Sequence, residues 1–155
     1  MELFRALAVL VEPPDREGAA RVAEALGLGE LPAPSLHTEL FAFQLYPYAS
    51  VYLGAEGMLG GEARGRIADF LAVLGLTPPA EPDHLAALLG TYARLCEAAE
   101  EKSEEAGRRA GPSTARRAFL WEHLLSWLPV YLEKLSELAQ PFYERWGALL
   151  LEALA

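Results

Sequence analysis

The sequence predicts an all-α protein, a single-domain bundle of about six to eight helices, and three observations lead there. Leu (29) and Ala (27) make up 56 of the 155 residues, while Ile, Val and Thr, the β-branched residues that a sheet uses, total 11. The 11 prolines fall almost entirely between stretches whose apolar residues recur at helical spacing, where the missing N–H and the ring's clash with the preceding turn mark helix boundaries. A chain of 155 residues also suffices to bury roughly 70% of its unfolded surface around one core, so residues 1–155 read as one domain.

Taken in order, a first helix covers Glu2–Val11 and is closed by Pro13–Pro14. Asp15 is placed to cap a second, Arg16–Leu26, whose last turn meets Gly27. Ser35 is expected to cap a third, Leu36–Tyr46. The stretch Pro47–Gly61 holds Gly54, Gly57, Gly60 and Gly61 among its tyrosines and reads as a long aromatic loop. Ile67, Phe70, Leu71 and Leu74 stand at i, i+3, i+4 and i+7 and give a fourth helix one buried face, ending at Gly75 before Pro78–Pro79.

Pro82 is expected to open a fifth helix, with Leu85, Leu88, Leu89, Tyr92, Leu95 and Cys96 as its apolar stripe. Glu97, Glu100, Glu101, Glu104 and Glu105 repeat the period about a third of a turn round, so that helix has an oily face and an acidic one. Gly107–Ser113 reads as a linker or hinge. Phe119, Leu120, Leu124, Trp127 and Leu128 form a sixth helix that Pro129 should kink or end. Leu132, Leu135 and Leu138 continue the stripe to Ala139, and Pro141, suited to a first helical position, opens a last helix through Trp146 and Leu150.

Thirteen basic against 22 acidic residues leave a net charge of −9, which argues against a nucleic-acid binder and for basic partners. Cys96 stands alone, so it forms no internal disulfide and anchors no thiolate zinc site; a reducing compartment is expected. The apolar run Leu3–Val11 contains Arg5 and is bracketed by Glu2 and Glu12, unlike a secretion signal. No stretch reaches the ~20 apolar residues of a membrane span. The expectation is a soluble cytoplasmic protein with no membrane insertion.

Catalytic patterns are scarce. A di-iron bundle asks for two Glu-x-x-His pairs; Glu81 and His84 supply one, but Leu120 precedes His123 and Pro34 precedes His37 at that spacing. There is no His-Glu-x-x-His, no Gly-x-Ser-x-Gly, no phosphate loop and no dinucleotide fingerprint, so neither an enzyme nor a resident cofactor or metal is expected. Asp83 and His84 have a local reading, as helix-start residues, and a functional one. Arg116-Arg117-Ala118-Phe119-Leu120 imitates a twin-arginine export motif but reads as the basic first turn of a helix. Tyr46, Tyr48 and Tyr52 suit either a core or a peptide-binding lip.

Three stretches carry a resemblance: Tyr46-Pro-Tyr-Ala-Ser-Val-Tyr-Leu53 with the Gly-Ala-Glu-Gly-Met-Leu that follows, Glu81-Pro-Asp-His-Leu85, and Phe119-Leu-Trp-Glu-His-Leu-Leu-Ser-Trp-Leu-Pro129 with Pro141-Phe-Tyr143. In this order they resemble the TorD/DmsD family of cytoplasmic chaperones for molybdenum oxidoreductases, which is related to the nitrate reductase delta subunit. The resemblance implies an all-α fold without a cofactor. It implies as partner the precursor of a molybdopterin oxidoreductase catalytic subunit, held by its twin-arginine signal peptide or as a folding intermediate until the cofactor is inserted.

By matching position, Pro82, Asp83 and His84, with Glu81 beside them, would lie at the peptide groove, Asp83 attracting the peptide's arginines and His84 lending a switchable hydrogen bond. Tyr48, Tyr52, His123 and Trp127 are candidates by composition for the groove's oily part. Removing Asp83 and His84 together is then expected to weaken client binding with helicity nearly intact. Where many relatives carry a Glu-Leu pair, this chain reads Ala87-Leu88-Leu89-Gly90. Some relatives exchange helices in a homodimer, for which residues 107–113 would be the hinge. Two rival readings are a stable assembly subunit that binds the mature enzyme, and a helical enzyme or metal protein.

Overall fold

The apolar stripe at 85–96 organises the molecule. Leu85, Leu88, Leu89 and Ala93 have no exposed surface, and Tyr92, Leu95 and Cys96 are buried beside them. The computed structural model describes residues 2–12, 16–53, 61–106, 111–138 and 140–155. Among these residues the helices are α1 (Glu2–Val9), α2 (Arg16–Ala25), α3 (Pro34–Thr38), α4 (Ala49–Leu53), α5 (Gly61–Val73), α6 (Leu85–Ala106), α7 (Gly111–Phe119), α8 (Leu128–Glu137) and α9 (Pro141–Leu154). No strand occurs among them beyond an isolated bridge between Tyr48 and His84. The all-α expectation holds.

Helix α6 packs against α1 on one side and α7 on the other, while α8 pairs with α9. The layers are tied by polar bonds from inside the core. Trp146 Nε1 donates to the Leu7 carbonyl at 3.1 Å, Tyr131 Oη to that of Leu45 at 3.1 Å, and Arg145 to that of Leu28 at 2.8 Å. Each meets a carbonyl that a helix end or turn leaves short of a partner. Arg5 on α1 forms an ion pair with Glu97 on α6, which holds the Glu97 carboxyl down at about 2.

Gly27 and Gly75 end α2 and α5 as read, with φ of +72° and +76°. Both make the paired bonds of a left-handed helix stop: Leu28 N–H to Ala23 and Gly27 N–H to Glu24, then Leu76 N–H to Leu71 and Gly75 N–H to Ala72.

Several boundaries differ from the sequence reading. Ala33, not Ser35, precedes the first turn of α3, because Pro34 takes the opening helical position. The helix then widens into a π-helical turn, Glu39–Gln44, closed by Leu45 N–H to the Leu40 carbonyl at 2.7 Å. Residues 49–53 of the expected loop are α4. Helix α6 begins at Leu85, not Pro82.

A second π-helical turn, Leu120–Leu124, follows α7, and a turn at residues 125–127 interrupts the helix, so Pro129 sits inside the first turn of a new helix instead of kinking an old one. Arg116 and Arg117 lie in the last turn of α7, just ahead of the π-helical turn, not in a first turn. Residues 111–113 are helical where a linker was expected. Leu138 leaves the stripe and is 41% exposed. The cap Asp15, the rest of the loop at 54–60, the hinge residues 107–110 and Ala139 lie outside the described residues.

Candidate functional site

Two chain segments far apart in sequence, 46–50 and 81–85, lie side by side. Ala49 N–H donates to the Asp83 carbonyl at 2.9 Å and Leu85 N–H to the Pro47 carbonyl at 2.7 Å. The side chains continue the seam. Asp83 Oδ2 accepts from the Ser50 hydroxyl and from Ser50 N–H, and Tyr48 Oη donates to Glu81 Oε2 at 3.1 Å. Asp83 is 1% exposed and Ser50 fully buried, so the carboxylate serves the start of α4 across 33 residues instead of its own helix. The residue expected to attract a peptide's arginines thus has its Oδ2 turned inward onto Ser50, and within 81–84 Glu81 is the acid at the surface.

His84 takes the capping role that the sequence offered to Asp83. Its carbonyl accepts Leu88 N–H at 2.9 Å, the first intrahelical bond, and its Nδ1 accepts Ala86 N–H at 3.0 Å. A ring nitrogen that accepts is unprotonated, so the proton sits on Nε2. Burial holds the His84 pKa below its ordinary value, against the opposing pull of Glu81, Glu12 and Asp83, which keeps the ring neutral and the cap intact. The Tyr48 ring stands edge-on to the imidazole at 4.9 Å and 87°. Burial, then the bond to Glu81, raises the Tyr48 pKa and keeps its hydroxyl a donor. A groove of about 910 Å³ opens over His84 and Glu81 and runs along α6.

The remaining candidates are placed elsewhere. Trp127 is 2% exposed; its Nε1 donates to the His123 carbonyl at 2.8 Å and its ring stacks on Tyr52 at 5.4 Å. Trp127 is therefore core, held by the same turn that ends the second π segment, and Tyr52 is half-buried against it and Tyr131. His123 borders a second cavity of about 630 Å³ with Phe70, Leu74, Arg66 and Glu122. Its Nε2 is buried without a hydrogen bond, 3.8 Å from a Glu122 oxygen, and burial lowers its pKa. Glu81, Pro82, Asp83, His84 and Tyr48 thus form one site, and Tyr52, Trp127 and His123 do not join it.

Ser50 and Pro47, which complete the seam, fall in the 46–53 stretch quoted above but are not among the site residues read from the sequence, and nothing local marks them as partners of Asp83 and Leu85. Among the described residues no group of three or more His, Cys, Asp or Glu side chains is placed to hold a metal ion. Among the same residues no helix is long and apolar enough to cross a membrane.

A family model described as the nitrate reductase delta subunit matches residues 22–133, a span that contains every site residue above. A chaperone protein TorD of Shewanella amazonensis is 35% identical over 127 residues, covering 65% of this chain and 49% of that protein. Proteins of the same name from Vibrio vulnificus and Vibrio cholerae are 33% identical, over 107 and 95 residues, covering 65% and 59% of this chain and 46% and 42% of those proteins. The chain spans about half the length of these relatives or less. No solved structure matches.

Proposed function

Since the chain belongs to the nitrate reductase delta subunit family, which upholds the resemblance read from its motifs, we propose that it is a maturation chaperone for a molybdenum oxidoreductase. It binds the precursor of the catalytic subunit, through a twin-arginine signal peptide or an unfolded segment, and performs no chemistry of its own. The observation that carries this reading is the seam at 46–50 and 81–85. It spends a buried carboxylate, Asp83, on holding an exposed one, Glu81, and a neutral imidazole, His84, at the mouth of a groove.

In this reading Glu81 meets the client's cationic side chains, Tyr48 orients Glu81, His84 offers Nε2–H as a donor, and Pro82 and Asp83 are positioning residues. The net charge of −9 steers a basic segment toward the site and makes the encounter salt-dependent. The test is affinity capture with the tagged chain from its native cell extract, at low and raised salt, with bound proteins identified by mass spectrometry. An unprocessed molybdopterin oxidoreductase precursor, lost as salt rises, is the expected catch. A mature oxidoreductase complex at fixed stoichiometry would overturn the chaperone reading in favour of an assembly subunit.

A further inference from the structure

We propose that the groove between α1 and α6 is electrically two-ended and takes an extended peptide carrying a basic residue at one end and an acidic residue about four or five positions away. The proposal rests on the reading that the 81–84 hinge faces a client peptide, and it adds a second charge to that client.

The two helices run antiparallel. Arg5, early in α1, pairs with Glu97, far along α6, whereas Glu12, just past the end of α1, borders the same groove as His84 at the start of α6. The groove they border, about 910 Å³, therefore has Glu12 and Glu81 beside His84 at one end and Arg5 and Arg94 at the other. Glu12, Glu81 and Arg94 are exposed. The charge of Arg5 is met by Glu97, but Arg94 forms no ion pair among the described residues.

From His84 to Arg94 the helical rise gives about 15 Å, which an extended chain covers in about four or five residues. The floor between is small: Ala86, Ala87, Gly90 and Thr91 line it. A Cβ added at Gly90 would meet nothing within 4 Å, so the space above this part of α6 is open. A peptide with cations alone would satisfy the Glu81 end and leave a second cation facing Arg94. A peptide with both signs in register satisfies both ends.

Fluorescence anisotropy with labelled synthetic peptides of Ala, Ser and Leu tests this. One peptide carries paired arginines and, five positions on, paired glutamates; its companion has glutamines for the glutamates. The wild-type chain is expected to prefer the first by up to about fivefold, the upper end for exposed ion pairs, and Arg94→Glu to reverse that preference. Gly90→Leu should weaken both peptides about tenfold or more by filling the floor, with far-UV circular dichroism unchanged. Equal binding of the two peptides by wild type and by Arg94→Glu would overturn the two-ended groove while leaving a cation-binding hinge standing. Failure of both peptides to bind would overturn both. Should Gly90→Leu lose helicity, the Arg94→Glu comparison decides alone.

Discussion

Replacing Asp83 by Ala separates a positioning carboxylate from a peptide contact. The substitution removes the acceptor of Ser50 N–H and of the Ser50 hydroxyl, both inside a residue with no exposed surface. Hydrogen bonds to a charged partner contribute about 1.5–3 kcal/mol each, and donors stranded in a dry site lose more than the bond itself. Two bonds at the lower figure put the loss near 3 kcal/mol for Asp83→Ala. Ser50→Ala, which keeps the backbone bond, should cost about 2 kcal/mol.

Because the two side chains act as one unit, the double variant should cost little more than Asp83→Ala alone, a coupling of about 2 kcal/mol. The assay is urea unfolding followed by far-UV circular dichroism for the four proteins of the cycle. An Asp83→Ala loss below about 0.5 kcal/mol, the range of ordinary surface changes, would refute the seam. It would return Asp83 to the role read from its motif, in which removing Asp83 and His84 leaves the fold intact.

Other consequences follow from the same geometry. His84→Ala removes the Nδ1 cap on Ala86 N–H and should cost about 1 kcal/mol in urea unfolding, with His84→Asn restoring most of it; equal losses for both would contradict the cap. All three histidines are held below their ordinary pKa, burial being the first cause each time. The unfolded chain therefore takes up their protons near pH 6.5 and the folded chain only at lower pH. Stability should be flat above that value and fall as pH drops through it toward the folded pKa values, by up to about 1.4 kcal/mol per pH unit for each histidine. Equal urea midpoints on the two sides of that range would exclude it. Gly90→Ala should stabilise α6 by up to about 1 kcal/mol because the added methyl meets open space. Gly147→Ala should instead destabilise by about 1 kcal/mol, its Cβ being forced to 3.1 Å from the buried Leu135; calorimetric melting that moves both variants the same way would contradict this packing.

The parts of the fold that could be read from sequence are those where one element alone leaves a periodic mark. The stripe from Leu85 to Cys96, the stops at Gly27 and Gly75 and the start at Pro141 are of this kind. What escaped depends on partners. The two π-helical turns each fit one extra residue into a turn, and composition does not distinguish an i+5 bond from an i+4 bond. Helix α4 is hidden in a Pro- and Gly-rich context and draws its first N–H acceptors from Asp83, 33 residues on. Pro129 is compatible with a kink, an end or a start, and only the turn at 125–127 selects the start. At the candidate site, sequence polarity does not tell depth: Asp83 is interior and Glu81, its less conspicuous neighbour, is at the surface.

The account stands or falls on whether this hinge binds a client's cationic leader. Isothermal titration of the purified chain with the twin-arginine leader peptide of the precursor recovered by affinity capture, beside Glu81→Gln, addresses that directly. The account predicts saturable binding by the wild-type chain that weakens with salt and falls several-fold in Glu81→Gln, whose unfolding midpoint is unchanged. Binding that is indifferent to both salt and Glu81→Gln would contradict it.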